Sequence, residues 1–187
     1  MNTRKLRALA DVRRFNYERC NRYQSVAEHS FFVAILAMQA ADVLKWDWSA
    51  YGCQDVITHA LMHDAAEAVT GDILHLTKRA LPKHVVESLE TMAEEELEID
   101  DMPHSKECRE IVEFCDVLEL ALYLQEEQAS GNTTLITIYK ETIGRLARNP
   151  LWSKLEKWAM DVLGMDSTDA GWVLEMSTMH ETPFFKH

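Results

Sequence analysis

Glycine and proline are scarce in this sequence, at six and four of 187 residues. Because these two residues mark most turns, their scarcity argues against many short strands joined by turns and favours long helices. A chain of this length buries about two-thirds of its unfolded surface on folding, so it can form a core without disulfides. We expect a single domain over residues 1–187.

Cysteine is equally sparse, and no two cysteines have the C-x-x-C spacing. This pattern excludes a zinc ribbon and a thioredoxin-like motif, and the low cysteine density excludes a disulfide scaffold. We expect free, partly buried thiols in a reducing compartment. The four cysteines are Cys20, Cys53, Cys108 and Cys115.

Positive charge is in deficit, since 19 Lys and Arg face 31 Asp and Glu and give a formal net charge of −12. A protein this acidic repels the phosphate backbone of DNA or RNA, which argues against a nucleic-acid polymer as partner. A small phosphorylated ligand is still compatible, because a local basic pocket can lie within an acidic surface.

Long apolar runs are missing as well. The basic N-terminal segment has neither a long apolar stretch nor a small-residue cleavage site, so we expect no signal peptide. No stretch of 18 or more apolar residues is found, so we expect no membrane span. These features predict a cytoplasmic protein, or one of the host cytoplasm if the source is viral.

Helical periodicity runs through almost the whole sequence, and no segment shows convincing strand alternation. The expected fold is all-α, with about seven to nine helices. Ser25-Val26-Ala27-Glu28 is a capping box ahead of an apolar helix, and Ser105 is the predicted N-cap of a later one. Thr70-Gly71 and Gly131-Asn132 are helix stops. The predicted helices span about 4–13, 31–44, 54–69, 82–98, 105–128, 134–148, 151–163 and 170–176.

His63-Asp64-Ala65-Ala66-Glu67 is the chemically informative segment, and the pattern places it within the helix predicted over 54–69. His63 and Glu67 are one turn apart on the same face, and Asp64 lies about 100° further round. Burying such ionisable side chains among apolar residues is costly unless something satisfies them. A divalent cation would do so, because imidazole nitrogen and carboxylate oxygen suit Mn, Fe, Co, Ni or Zn.

A lone His-Asp pair is more often a hydrogen-bonded pair in a core than a metal site. Two other positions favour the metal. His29 directly follows the capping box on an apolar helix, and Asp116 lies inside the apolar stretch Ile111–Leu118 of a third helix. One His, one His-Asp pair and one distant Asp can together bind a metal ion from three helices.

The order His29, His63-Asp64, Asp116 resembles the H…HD…D pattern of HD-domain phosphohydrolases. The flanking strings SVAEHS, over 25–30, and HDAAEAVTGD, over 63–72, are similar to those of the bacterial HD-domain 5′-deoxynucleotidases. The related small phage dATP triphosphohydrolases have a similar small HD fold. The resemblance covers about 14–132 and implies a single HD-domain helical bundle whose metal-site core lies there, followed by C-terminal helices over 133–187.

The resemblance also implies roles for individual residues. His29, His63, Asp64 and Asp116 would bind one divalent metal ion, and Glu67 would position and deprotonate the attacking water. These five positions are the implied catalytic and metal-binding set.

Four further residues are implied to bind the substrate. Asp72 would hold the sugar hydroxyl, and Lys78 would lie near the phosphate. Arg14 matches a family arginine that lies beside an aromatic residue, and this aromatic residue excludes ribose. In this chain the aromatic residue is Phe15, whereas the family usually has Trp. The family also often has a lysine one turn before the last metal ligand, where this chain has Glu113, which removes a phosphate contact from that helix.

The resemblance leaves several functions open. The leading one is hydrolysis of a deoxynucleoside 5′-monophosphate to deoxynucleoside and phosphate. The alternative is a dATP-type triphosphohydrolase that releases deoxynucleoside and triphosphate, since the reaction at the α-phosphorus is the same. A cyclic-nucleotide or alarmone phosphodiesterase and a non-catalytic helical scaffold are more distant alternatives.

The sequence leaves the metal open among Co, Mn, Zn, Mg and Ni, because availability selects such metals as much as affinity does. It does not specify the preferred base. The resemblance implies a homo-oligomer, dimeric or larger, and the tryptophan-containing C-terminal region is a candidate interface.

Overall fold

The computed structural model describes residues 1–47, 52–99, 105–166 and 168–178. Within these ranges the regular elements are helical, apart from one isolated antiparallel bridge between Arg13 and Ser25. Eight described helices have six residues or more, which confirms the all-α prediction of seven to nine helices. The helices are α1 Thr3–Leu6, α2 Val26–Val43, α3 Gly52–Met62, α4 Glu67–Thr70, α5 His75–Ala80, α6 Lys83–Glu96, α7 Lys106–Ala129, α8 Ile136–Arg148, α9 Trp152–Val162 and α10 Ala170–Thr178, with a 3-10 turn over Arg7–Ala10.

The chain divides into two compact units. Among the described residues, the first unit comprises 1–31 and 61–99, and the second comprises 32–47, 52–60, 105–166 and 168–178. The expectation of a single domain stays a prediction.

The first unit is built around the short helix α4, which packs against α1, the 3-10 turn over Arg7–Ala10 and α6. Leu9, Ala65 and Leu97 are buried in its core. The end of α6 is tied to the N-terminus, because the backbone N–H of Asn2 donates to the carbonyl of Leu97 at 2.7 Å. This packing holds α4, and the residues just before it, between the N-terminal segment and α6.

The second unit is organised by α7, its longest helix, which packs against α8; α8 in turn packs against α9 and α10. Apolar side chains of α7 fill the core, with Phe114 fully buried and 6.5 Å from the ring of Trp158. The carboxylate of Glu127, also buried, accepts a 2.7 Å hydrogen bond from the side-chain amide of Asn132 just past the helix end. The predicted stop at Gly131-Asn132 is thereby confirmed.

The prediction of one continuous helix over 54–69 is wrong. Helix α3 ends at Met62, and α4 begins at Glu67. Between them the backbone makes i to i−3 hydrogen bonds, from Ala65 to Met62 and from Glu67 to Asp64, as in a 3-10 turn. Over four residues the apolar pattern of a 3-10 turn is nearly the same as that of an α-helix, so periodicity did not reveal the break.

The N-cap signals at the start of two other helices are confirmed. The Ser25 hydroxyl accepts from the backbone N–H of Glu28 at 3.1 Å, and the Ser105 hydroxyl accepts from that of Cys108 at 3.0 Å. Both are the predicted N-caps. The helix predicted over 4–13 is shorter, since α1 and the 3-10 turn end at Ala10, and the pattern did not predict α5.

By length and composition, α2 is apolar enough to cross a membrane, with a mean hydropathy of 1.3 over 18 residues. Half of the helix is buried inside the structure, and a core helix passes the same test of length and composition. Three described cysteines, at 20, 108 and 115, are not in disulfides, and the Cys53 side chain lies outside the described residues.

Candidate active site

Three side chains of the first unit meet at one point: His29, His63 and Asp64. One potential ligand atom from each lies within 4.8 Å of the other two. Asp64 Oδ2 is 3.3 Å from His63 Nε2 and 3.8 Å from His29 Nε2, and the two imidazole rings are 5.3 Å apart. Residues 34 positions apart in the sequence thus form one cluster of two imidazoles and a carboxylate.

The backbone places these three side chains by two separate devices. His29 lies in the first turn of α2, where its N–H donates to the carbonyl of the N-cap Ser25 at 3.0 Å. His63 and Asp64 occupy the 3-10 turn between α3 and α4. In an α-helix the side chains of adjacent residues point about 100° apart around the axis. In this turn the side chains of His63 and Asp64 both lie close to His29.

The donor set fits a divalent metal ion. The His29 side chain is fully buried, and the exposed fractions of the His63 and Asp64 side chains are only 13% and 26%. Two imidazole nitrogens and a carboxylate oxygen are ligands that suit Mn, Fe, Co, Ni or Zn. Burying these groups so close together costs free energy unless a bound cation or a shared proton compensates it.

Glu67 begins α4, one turn after His63, and only 7% of it is exposed. Burial, together with the charges of Asp64 and Asp72, raises the pKa of Glu67 to about 8, while Lys78 and Arg14 act in the opposite direction. The Lys78 ammonium is 3.7 Å from Glu67 Oε1. A carboxylate with a pKa near neutrality can both accept and return a proton under ordinary conditions.

The raised pKa of Glu67 predicts a pH-dependent stability. In the folded, metal-free protein Glu67 keeps its proton up to about pH 8, against 4.5 ordinarily, so stability falls as pH rises through this window. Glu67→Gln stays neutral and escapes this loss. At pH 8 we expect it to be more stable by about 2 kcal/mol, or about 6 °C in Tm, with little difference near pH 4.5.

Thermal denaturation in a chelating buffer, followed by circular dichroism between pH 4.5 and 9, measures this difference. A Tm difference that is the same across the whole range would contradict a carboxylate that is protonated in the folded state.

Asp72 lies beyond α4, where Phe15 and Asn16 hydrogen-bond to it. Its carboxylate accepts a hydrogen bond from the backbone N–H of Phe15, and its carbonyl accepts from the side-chain amide of Asn16 at 2.9 Å. Burial raises the pKa of Asp72, against the opposing charge of Arg14. The structure therefore brings together all the predicted substrate-binding residues of the first unit: Arg14, Phe15, Asp72 and Lys78, the last on α5.

Gly71 turns the chain from α4 toward Asp72 with φ 71° and ψ 171°, a conformation that side-chain-bearing residues rarely adopt. A Cβ added at Gly71 would meet no atom within 4 Å, so its cost is purely conformational. We expect Gly71→Ala to destabilise the protein by about 1–3 kcal/mol.

Gly171 in α10 is the matched control, since an added Cβ is equally uncrowded there and the backbone is helical. Gly171→Ala is expected to stabilise by up to about 1 kcal/mol. Urea denaturation of both variants checks the opposite signs; a loss of stability in Gly171→Ala comparable to that in Gly71→Ala would contradict the conformational explanation.

A cavity of about 220 Å³ opens beside this cluster in the first unit. Its polar wall includes His63, Asp64, Glu67 and Lys78. The rest of the lining is largely apolar, and the sequence did not indicate a functional role for it because its apolar residues resemble those of a core. These apolar lining residues include Ile73, Leu81, Val86, Leu89 and Ile99.

Two predicted residues belong to the second unit. Asp116 lies half-buried on α7, and Glu113 lies exposed one turn earlier on the same helix. The role of Asp116 as the fourth metal ligand stays a prediction. The sequence did not indicate a role for Asn16. This residue hydrogen-bonds to Asp72, which is 56 positions away, and no local pattern indicates such a contact.

The chain matches the family model described as 5′-deoxynucleotidase YfbR-like over residues 3–157. The 5′-deoxynucleotidase YfbR of Escherichia coli O1:K1 / APEC is 28% identical over 142 residues, covering 67% of this chain and 71% of that protein. The match includes the cluster residues His29, His63 and Asp64 within its range.

Two solved structures share the fold. A protein from Pyrococcus horikoshii OT3 superposes with a TM-score of 0.64 at 24% identity, over 86% of this chain and 95% of that one. The HD phosphohydrolase DatZ of cyanophage S-2L, bound to dA and one catalytic Zn²⁺ ion, superposes with a TM-score of 0.62 at 21% identity, over 88% and 95%. At these identities the likeness establishes the fold.

The family match extends across most of the chain and includes the cluster of His29, His63 and Asp64. The expected enzymatic nature is confirmed, which sets the scaffold alternative aside. The chain belongs to the 5′-deoxynucleotidase YfbR-like family and is an HD-domain phosphohydrolase.

Proposed function

We propose that this enzyme hydrolyses deoxynucleoside 5′-monophosphates to deoxynucleoside and inorganic phosphate, with the help of one divalent metal ion. The observation that carries the proposal is the convergence of His29, His63 and Asp64 within 4.8 Å, one helical turn from the buried Glu67. The family match supports the substrate class, since its relatives are named as 5′-deoxynucleotidases.

His29, His63 and Asp64 would hold the ion, with Asp116 proposed as the fourth ligand. When bound, a divalent ion withdraws charge from the phosphoryl oxygens and makes water more acidic. The donor set leaves the metal open among Mn, Fe, Co, Ni and Zn, and Mg is a further candidate.

Glu67 would act as the general base. It takes a proton from a water molecule whose oxygen attacks phosphorus. The bond between phosphorus and the 5′-oxygen breaks, and Glu67 returns the proton to that oxygen, which leaves as the deoxynucleoside hydroxyl. A pKa near neutrality suits this exchange, and the Lys78 ammonium 3.7 Å away favours the charged form needed for proton abstraction.

The deoxyribose would be recognised next to this centre. Asp72 is proposed to accept a hydrogen bond from the sugar hydroxyl, and the Phe15 ring to crowd a 2′-hydroxyl. Arg14 and Lys78 supply positive charge beside Glu67 and Asp72, which suits a phosphate ester between them.

The same two cations favour the second candidate, a triphosphohydrolase that releases deoxynucleoside and triphosphate. Arg14 and Lys78 together could neutralise more than one phosphate group. Against it, Glu113 stands exposed where the family often has a lysine. Both candidates use the same attack on the α-phosphorus, so only the released product separates them.

The test is a screen of deoxy- and ribonucleotide mono- and triphosphates with Mn, Co, Mg and Zn, read out by product identity. We expect metal-dependent release of inorganic phosphate from deoxynucleoside monophosphates and slower turnover of the ribonucleotides. Release of intact triphosphate would favour the second candidate; absence of metal-dependent hydrolysis of all these nucleotides would overturn both.

We further propose a small-molecule partner only, with neither nucleic-acid polymer nor membrane. A homo-oligomeric state, a cytoplasmic location and a single HD domain with its metal-site core over 14–132 stay predictions.

A further inference from the structure

Two consecutive residues hold Asp72 at both its side chain and its backbone. The N–H of Phe15 donates to the Asp72 carboxylate, and the side-chain amide of Asn16 donates to the Asp72 carbonyl at 2.9 Å. The Phe15 ring and the Asp72 carboxylate therefore belong to one hydrogen-bonded unit, although they lie 57 positions apart in the sequence.

Phe15 has a positive φ of 53°, which is uncommon for any residue with a side chain and costs about 1–2 kcal/mol. Such strain persists only where the surroundings impose it, and it concentrates at functional sites. Here the flanking backbone is anchored on both sides, by the N–H of Arg14 to the Gln24 carbonyl at 2.9 Å and by that of Glu18 to the Phe15 carbonyl at 3.0 Å.

These anchors fix the turn within its own segment, but they do not set its distance from Asp72. Among the described side chains of this turn, Asn16 makes the hydrogen bond that crosses to the Asp72 backbone. The amide can donate to a carbonyl, whereas a carboxylate of the same shape cannot. Asn16 is exposed, so changing it leaves the core intact.

We propose that Asn16 is a positioning residue that sets the separation of the Phe15 ring from the Asp72 carboxylate, and thereby the discrimination of deoxyribose from ribose. The inference rests on the proposed function. A sugar hydroxyl held by Asp72 determines where the 2′-carbon points, so the ring excludes a 2′-hydroxyl only while its distance from Asp72 is maintained.

The experiment compares Asn16→Asp, which keeps the shape and replaces the donor with an acceptor, with Asn16→Ala. The measured quantity is kcat/KM for a deoxynucleoside monophosphate divided by that for the ribonucleotide of the same base. We expect this ratio to fall about tenfold in Asn16→Asp, and less in Asn16→Ala, with metal content unchanged.

Tyr17→Ala is the matched control, because Tyr17 lies in the same turn with 78% of its surface exposed. Its ratio should equal that of the wild type. Wild-type ratios in both Asn16 variants would overturn the inference, and so would an equal loss of both activities, which indicates a structural role only.

The wild-type enzyme separates this failure from failure of the proposed function. A wild type without metal-dependent deoxynucleotidase activity overturns both. A wild type that hydrolyses deoxy- and ribonucleotides equally well leaves the phosphohydrolase assignment standing and overturns the role of Asn16.

Discussion

Glu67→Gln is expected to lower kcat by about a thousandfold while the bound metal stays at the wild-type amount. Glutamine keeps the size and the hydrogen-bonding shape of the side chain, but its amide cannot take the proton of the attacking water. Glu67 lies outside the His29, His63 and Asp64 cluster, so its replacement leaves those donor atoms in place. KM should change little, because the lost interaction forms mainly in the transition state.

Steady-state kinetics and metal analysis of the same preparation measure both quantities. Glu87→Gln is the matched control, since Glu87 lies exposed on α6 and pairs with Lys83 one turn away. It should retain full activity. If Glu67→Gln lost the metal in parallel with kcat, Glu67 would be acting as a ligand, and the general-base assignment would be wrong.

Removal of either ligand of the HD pair is expected to abolish both metal binding and turnover. His63→Ala and Asp64→Ala each delete one of three donor atoms that lie within 4.8 Å of one another. The remaining two donors hold a divalent ion far more weakly, so we expect sub-stoichiometric metal after dialysis and at least a thousandfold loss of activity. His29→Ala should behave in the same way, with an added loss of stability because His29 is fully buried.

His84→Ala is the control for loss of an imidazole, because His84 is exposed on α6. It should bind metal and turn over substrate as the wild type does. Full metal occupancy in both His63→Ala and Asp64→Ala would contradict the proposed site. Asp116→Ala tests the fourth ligand separately: unchanged metal affinity would remove Asp116 from the site and leave the other three in place.

The two predictions also separate the contributions to catalysis. The ligand variants lose the ion and everything that depends on it, whereas Glu67→Gln keeps the ion and loses one proton transfer. Excess Mn or Co in the assay should therefore restore some activity to the ligand variants and none to Glu67→Gln. Equal rescue of all variants would contradict this division.

The sequence by itself determined the fold class, most of the helices and the identity of the clustered residues. Helical periodicity and low glycine and proline content predicted an all-α chain, because these signals are local and depend on residues three or four positions apart. The N-caps Ser25 and Ser105 were predictable for the same reason. His29, His63 and Asp64 were identified because ionisable side chains stand out in apolar segments, and the motif spacing matched a known pattern.

Only the tertiary structure decided how these residues meet. The helix break at His63–Ala66 is invisible to periodicity, since an α-helix and a 3-10 turn have nearly the same apolar pattern over four residues. The positive φ of Phe15 is held by backbone hydrogen bonds within residues 14–24, and the Asn16 bond to Asp72 joins residues 56 positions apart, which no local signal records. The raised pKa of Glu67 comes from burial and from two carboxylates brought near it by folding. Residue type determines which chemistry is available, and the packing of distant segments determines which of those groups share a site.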